Sequence, residues 1–339
     1  MIYKLGQPYI EINSQCNLSC VYCYHSERFD NRLSSETLFN IFKQLNLLGA
    51  TEIKISGGEP LLHPEFETII RILKKMDFSI ELVTNGTMIN DLNAKFLASN
   101  IDKLVISLDS HDCNTNNLTR PQSYQLVING IDALKKAGCL NIYVGAVATK
   151  KNTDVEGFVN WCERNSIKGI IFESIHREGK AKKIFENYFL EYSDYMIYRQ
   201  KLLKLKKKSS VEISALPDFG GGCMLVENIP IIRPRIDYDG DVYLCRSFLD
   251  KEMSVGNILK DDLKSILENK KTQKIIDELK KRQEKIEKCH KCFISNRICR
   301  GGCAAQAYNR TGTLFDIDDL CEWRIRNAID VVKNVEYEL

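Results

Sequence analysis

Between residues 9 and 206 the chain alternates two hydrophobic rhythms. Short runs rich in β-branched and aromatic residues recur as "YIEIN" (9–13), "TEIKIS" (51–56), "SIELVT" (79–84), "KLVISL" (103–108), "IYVGAVAT" (142–149) and "GIIFES" (169–174). Each predicts a strand. The stretches between them carry apolar residues at helical spacing. In "SSETLFNIFKQLNLLG" (34–49), Leu38, Ile41, Phe42, Leu45 and Leu48 share one face, with Ser34 or Ser35 as N-cap and Gly49 as stop. Six strand–helix units in series predict an α/β fold with a parallel sheet, open or barrel-like. In such sheets chemistry gathers beyond the C-terminal ends of the strands.

The alternation stops near "KLLKLKKKSS" (201–210), a basic run that reads as a solvated helix end entering a linker. From 211 the texture changes to glycine-rich turns, short strands and closely spaced cysteines. Two domains are expected, 1–208 and 209–339.

Composition narrows the class. The chain has 339 residues, 44% hydrophobic and 27% charged, with a net charge of +3, too mild to argue for nucleic acid. No apolar run approaches the roughly 20 residues of a membrane helix. The start, "MIYKLGQPYIEIN", lacks a basic region followed by an apolar one, so no signal peptide is expected. The expectation is a cytoplasmic protein without nucleic-acid or membrane partners. Thirteen cysteines are the unusual quantity. Their odd number and the missing export signal argue against disulfides and for metal.

Cys16, Cys20 and Cys23, in "CNLSCVYCYH" (16–25), follow the first strand. Three ligands leave either a distant fourth or an open metal position, and an open position is how a metal site performs chemistry. "GGEP" (57–60) follows the second strand, "NG" (85–86) the third and "DSHD" (109–112) the fourth. Singly, the cysteines could be a zinc fragment and GGEP a Gly-Pro turn. Four motifs at consecutive strand ends describe one site.

Cys-x3-Cys-x2-Cys with an aromatic residue before its last cysteine resembles the radical S-adenosylmethionine (SAM) superfamily. The resemblance implies a partial (β/α)6 TIM-like barrel whose three thiolates hold a 4Fe–4S cluster, the amino and carboxylate groups of SAM taking the fourth iron. It further implies that one electron cleaves SAM and that the resulting 5′-deoxyadenosyl radical removes a hydrogen atom from the substrate. On this reading Gly57 and Gly58 permit close approach of a small zwitterion, and backbone or Glu59 oxygens accept from its ammonium group. Pro60 stiffens the turn. Tyr22 resembles the family's aromatic residue against adenine, and Thr84, Asn85 and Ser107 offer polar groups to ribose and methionine. Arg120 is placed to pair with the SAM carboxylate.

The tail carries Cys223, "GDVYLC" ending at Cys245, "CHKC" (289–292), Cys299, "RGGC" ending at Cys303, and Cys321. This series resembles the SPASM extension of radical SAM enzymes that mature peptides and proteins. Its third gap is six residues where the family has five, and Cys223 lies slightly further than usual from Gly240. "SVGNILKDDLKSI" (254–266) and "GGCAAQAY" (301–308) also resemble SPASM text, so the resemblance covers essentially the whole chain. It implies a smaller Cys-rich α+β domain with two auxiliary 4Fe–4S clusters, three clusters in all. Cys289, Cys292, Cys299 and Cys321 would hold one; Cys223, Cys245 and Cys303 would hold the other, with an open iron. Cys299 and Cys303, four apart on an expected helical turn, can then lie close yet serve different metals. Gly220, Gly221, Gly222, Gly301 and Gly302 allow close packing around sulfide. The rival is a zinc ribbon or knuckle on 289–303, for which the spacing is permissible.

The SPASM resemblance implies a peptide substrate, ribosomally made, that receives a thioether, a carbon–carbon cross-link, an oxidised residue or an inverted α-carbon. It also implies an electron donor such as flavodoxin or ferredoxin. The alternatives are a dehydrogenase or epimerase of a sugar or aminocyclitol, and a non-enzymatic iron–sulfur scaffold. Sulfatase-maturing relatives carry Asp after the Gly-x4-Cys cysteine; Arg246 stands there and cannot accept a proton, so formylglycine formation is not expected. Only eight residues precede the first strand, so no leader-peptide domain is expected there. No catalytic base is assigned. Of the remaining cysteines, Cys139 and Cys162 read as buried and inert, and Cys113, on the active face, as a possible hydrogen-atom donor.

Overall fold

In the computed structural model, which describes residues 2–25, 29–214 and 222–336, seven strands lie parallel in chain order. They are β1 (Tyr9–Glu11), β2 (Glu52–Ser56), β3 (Ser79–Thr84), β4 (Lys103–Ser107), β5 (Ile142–Ala148), β6 (Gly169–Ser174) and β7 (Glu212–Ser214). The crossovers are α1 (Ser35–Leu47), α2 (Phe66–Lys75), α3 (Asp91–Asn100), α4 (Cys113–Thr119), α5 (Tyr124–Lys136), α6 (Val155–Arg164), α7 (Ala181–Tyr188) and α8 (Tyr192–Lys206). The result is a partial (β/α) barrel. Its first six strands are those the hydrophobic pattern predicts. The seventh is three residues long, too short for periodicity to register. The Glu212 amide donates to the Lys168 carbonyl at 2.9 Å, which extends the sheet.

Local chemistry sets the elements. The Ser34 side chain accepts from the Thr37 amide and caps α1, a contact worth about 1 kcal/mol. Leu38, Ile41, Phe42 and Leu45 are buried, and Gly49 takes φ +87°, ending the helix as its missing side chain permits. Along the strands, side chains point alternately to the two faces. Ile10, Ile53, Ile55, Ile80, Leu82, Leu104 and Ile106 form the apolar core. The opposite face is polar: Lys54 Nζ lies 2.8 Å and Lys103 Nζ 3.4 Å from the Glu81 carboxylate. Burial opposes ionisation of Glu81, yet the two lysines outweigh it and hold its carboxyl below the usual range. One face of the sheet therefore builds the core, while the other carries polar groups.

The barrel unit comprises 7–216 and 236–240; the described parts of 1–6, 217–235 and 241–339 form a second, α+β unit. There Lys4–Leu5 pairs in parallel with Ile231–Ile232, and Asp241–Tyr243 pairs antiparallel with Gly256–Asn257. Helices Leu263–Glu268 and Lys270–Lys280 bury Leu263, Ile266, Leu267, Ile275, Ile276 and Leu279. Gly220 and Gly221 lie outside the described residues. The expected helical turn at 299–303 is not formed. Gly301 and Gly302 have φ +84° and +71°, left-handed values that interrupt a helix, and helix begins only at Ala304. Among the described residues no helix is long and apolar enough to cross a membrane.

Candidate functional site

The segment 13–25, which follows β1, is held by the loops after β2, β4 and β6. The Gly58 amide donates to the Asn13 carbonyl at 2.8 Å and the Glu59 amide to Gln15 at 2.7 Å. The Val21 amide donates to Thr119 at 3.0 Å, and the Lys180 amide to the Cys23 carbonyl at 2.9 Å. Donors reach the thiols of this segment. Asn85 Nδ2 lies 3.8 Å from Cys16 Sγ, and Arg120 Nη1 lies 3.7 Å from Cys20 Sγ. Donors aimed at sulfur favour the thiolate form that a metal or cluster requires.

Arg120 is fixed by Asp109, to which sequence reading gave no role beyond its motif. The buried Asp109 Oδ2 lies 3.2 Å from Arg120 Nε and accepts from Thr119 Oγ1 at 2.6 Å and from the Tyr22 hydroxyl. Its Oδ1 accepts from the Val147 amide at 3.0 Å, and its backbone carbonyl from Asn152 at 2.8 Å. Burial works against the Arg120 charge, but Asp109, Tyr22 and Cys20 outweigh it and raise its pKa. The guanidinium also sits 5.5 Å from the centroid of the Tyr22 ring. Burial, chiefly, pushes the Tyr22 phenol well above its usual value. A carboxylate directly after the apolar run "KLVISL" was the available signal for Asp109.

The other expected SAM contacts are placed as follows. Glu59 is fully buried, and its carboxylate accepts from Thr84 Oγ1 at 2.7 Å, the Asn85 amide at 2.7 Å and the Leu61 amide at 3.0 Å. Its backbone carbonyl accepts from Asn13 Nδ2 at 2.9 Å. The Glu59 oxygens named for an ammonium group are thus already engaged, and so is the Thr84 hydroxyl, which also accepts from the Gly86 amide at 3.0 Å. Asn85 is held by Asn17 and Thr87. Ser107 ends β4 and is half-buried. Gly57 and Gly58 are crowded by the chain's own backbone: a Cβ would overlap Asn13 O at Gly57 and Gln15 O at Gly58. Gly58→Ala is therefore expected to destabilise the apo-protein by about 1–3 kcal/mol, measured by urea denaturation, with reduced iron loading of the Cys16 loop.

Two contacts were not anticipated from sequence. Gly179, at φ +49°, leaves no room for a Cβ beside the Tyr24 carbonyl, and Lys180 Nζ donates to Ser19 Oγ at 2.9 Å. Nearby, buried Glu11 accepts from the Tyr24 hydroxyl at 3.0 Å, and His25 packs between Tyr24 and Tyr238.

Among the described residues, which include all thirteen cysteines, no cysteine is joined in a disulfide. In the second unit they form two groups. Cys289, Cys292, Cys299 and Cys321 line one pocket, with Gln283, Lys288 and Arg324 among its walls. Cys223, Cys245 and Cys303 lie close enough to influence one another electrostatically. Burial first, then neighbouring thiols, push Cys223 up to about 11 and Cys303 up to about 12. Among the described residues no three His, Cys, Asp or Glu side chains converge as a single ion needs. A single zinc would gather its sulfurs at bonds of about 2.3 Å, whereas an iron–sulfide cube spreads them over its corners. Four thiols around one pocket fit the latter. Sulfur donors at Cys16 and Cys20 fit a cluster in the barrel.

Cys139 and Cys162 are buried, and burial raises both thiol pKa values. Cys113 is exposed at the start of α4, its sulfur 3.4 Å from Asn117 Nδ2. Iodoacetamide at pH 8 is expected to label Cys113 at least about tenfold faster than Cys162 in the native protein. Peptide mapping reads the result.

A model of the radical SAM superfamily matches residues 10–162, and a model of an iron–sulfur cluster-binding domain, SPASM, matches residues 232–293. A probable GTP 3′,8-cyclase of Sulfurisphaera tokodaii is 28% identical over 274 residues, covering 75% of this chain and 85% of that protein. SuiB of Streptococcus suis bound to the precursor peptide SuiA matches with a TM-score of 0.78 at 18% identity, over 95% of this chain and 76% of that one. Native anSMEcpe with bound AdoMet and Cp18Cys peptide gives 0.74 at 23% identity, over 98% and 99%. These structural likenesses are of fold.

Proposed function

The chain belongs to the radical SAM superfamily and carries a SPASM iron–sulfur cluster-binding domain, and from that premise we propose that it abstracts a hydrogen atom from a ribosomally made peptide. The product would be a cross-link, an oxidised residue or an inverted α-carbon. The observation that carries this reading is the combination, in one chain, of a three-thiol loop with donors at two sulfurs and two further groups of thiols. Support for the peptide comes from SuiB and anSMEcpe, whose structures hold peptides.

When bound, the cluster and SAM supply one-electron cleavage of SAM and a radical that abstracts hydrogen. The chain's own residues prepare for this. Cys16, Cys20 and Cys23 would hold the cluster, Asn85 and Arg120 donate toward the Cys16 and Cys20 thiols, and Asp109 fixes Arg120. Tyr22, Gly57, Gly58, Glu59, Thr84, Asn85, Ser107 and Arg120 are our proposed surroundings of SAM. Cys289, Cys292, Cys299 and Cys321 would hold one auxiliary cluster, and Cys223, Cys245 and Cys303 a second with an iron left for a substrate group. An acidic one-electron donor of the flavodoxin or ferredoxin class would reduce the enzyme in the cytoplasm.

A second reading is a purine nucleotide substrate, favoured by the 28% identity over 274 residues to a probable GTP 3′,8-cyclase. The test is anaerobic incubation of the reconstituted protein with SAM and dithionite, alone and with a peptide panel, GTP, or sugars and aminocyclitols. Peptide is expected to stimulate 5′-deoxyadenosine release and to lose hydrogen or take up solvent deuterium. Turnover of GTP or a sugar, with every peptide unchanged, rejects the peptide reading.

A further inference from the structure

Arg282 is only 3% exposed. Its guanidinium donates to the carbonyls of Leu314 at 2.6 Å and Gly302 at 3.2 Å, and also to Gly301 and Asp316. Every one of those acceptors is a backbone carbonyl. Among the described residues Arg282 makes no ion pair. The nearby carboxylate, Asp318, is taken up by Arg324 through two bonds of 2.6 and 2.7 Å, and also accepts from the Cys303 amide at 2.7 Å. Arg282 is thus a buried cation with no carboxylate bonded to it: Asp318 acts on it electrostatically but accepts its hydrogen bonds from Arg324 and Cys303. That arrangement is expensive unless further negative charge faces it.

The Arg282 neighbours supply that charge. Gly301 lines the pocket of Cys289, Cys292, Cys299 and Cys321, and Gly302 directly precedes Cys303 of the other group. The side chain donates to both glycines. Their left-handed backbone brings them against two arginines: a Cβ on Gly301 would lie 3.1 Å from Arg282 Nη1, and one on Gly302 would lie 2.6 Å from Arg324 Nη1. Burial lowers the Arg282 pKa; against it act Asp318 first and then Cys303, Cys289 and Cys223, which belong to both groups of thiols.

We propose that Arg282 is a shared positioning charge for the two auxiliary sites, compensated by the net negative charge of both thiolate-bound clusters and raising the reduction potential of each. The inference rests on the reading that both thiol groups carry a cluster. A fixed cation beside a cluster stabilises the added electron, and burial keeps that field from being screened. Arg324 differs in that it holds Asp318 through a direct two-bond ion pair, which offsets its charge locally.

The test is an EPR-monitored redox titration of the reconstituted full chain, comparing wild type with Arg282→Gln and Arg282→Lys. Arg282→Gln is expected to lower the reduced-to-oxidised ratio of both auxiliary clusters about tenfold at fixed poise, equivalent to about 59 mV for one electron. Arg282→Lys, which keeps the charge, is expected to stay near wild type. The signal assigned to Cys16, Cys20 and Cys23 is the internal control and should not move. A shift at one auxiliary cluster only, at neither, or equally in both variants overturns the proposal. If Arg282→Gln loses iron, Arg282→Lys decides: two loaded clusters at wild-type potentials uphold it, and loss of either overturns it. A wild-type chain with a single auxiliary signal overturns the two-cluster reading and this inference together. Two wild-type signals indifferent to Arg282 overturn the inference alone.

Discussion

Replacing Cys16, Cys20 and Cys23 together by alanine is expected to abolish 5′-deoxyadenosine release and to lower bound iron from about twelve per chain to about eight. The reason is the segment's donor set. From Cys16 to Tyr24 it offers, apart from three thiols, Asn17, Ser19, Tyr22 and Tyr24, whose neutral oxygens and nitrogen are poor ligands for iron–sulfide. The next donor, His25, is packed against Tyr24 and Tyr238 and lies 3.7 Å from Glu11. Ser19 and Tyr22 are in any case engaged by Lys180 and Asp109. The substitutions touch no residue of the second unit, so iron held there should remain. Iron and sulfide analysis with visible absorbance checks the first outcome, and chromatography of SAM products checks the second. Undiminished 5′-deoxyadenosine from the triple variant would remove the barrel thiols from the chemistry.

Asp109→Asn is expected to cost about 3–5 kcal/mol of stability, the range for removing one partner of a buried ion pair. Asp109 is 1% exposed and the Arg120 side chain 11%, so solvent screens the pair little. Asparagine keeps the shape of the aspartate but loses the charge that offsets Arg120. Its amide end must also face a donor, either the Val147 amide or the set formed by Tyr22, Thr119 and Arg120. Thr119→Val, which removes a single neutral hydroxyl, sets the comparison at about 1 kcal/mol. Urea denaturation of the apo-protein measures both. The double variant Asp109→Asn/Arg120→Gln should recover part of the loss, because it leaves no unpaired cation. A change below about 0.5 kcal/mol in Asp109→Asn, within the range of ordinary surface substitutions, would mean that Asp109 does not hold Arg120 in place. Iron loading should follow stability, since Arg120 reaches Cys20.

The barrel was legible because its signal is local. Each of the first six strands is bounded by turn residues, and α1 announces itself through Ser34, its apolar face and Gly49. The Cys-x3-Cys-x2-Cys spacing and the four motifs at strand ends were equally local, needing only the rule that parallel strands gather their C-terminal loops. β7 was missed because its three residues carry no period, and its place depends on hydrogen bonds to β6. The turn expected at 299–303 failed because four-residue spacing was taken for helix where two glycines in left-handed conformation bring the chain against Arg282, Arg324 and Asp318.

What the sequence alone determined is the inventory: a parallel α/β sheet, open or barrel-like, three thiols following its first strand, and seven more in a C-terminal unit. These follow from periodicity and spacing, properties of neighbours along the chain. Tertiary structure decided which groups meet. It engaged Glu59 with Thr84 and Asn85, set Gly57 and Gly58 against the segment preceding Cys16, and made Asp109 the anchor of Arg120. It also bonded Arg282 to backbone carbonyls alone while giving the hydrogen bonds of Asp318 to Arg324 and the Cys303 amide. Such choices depend on burial and on competition among donors and acceptors far apart in the chain, and the order of residues does not encode their outcome locally.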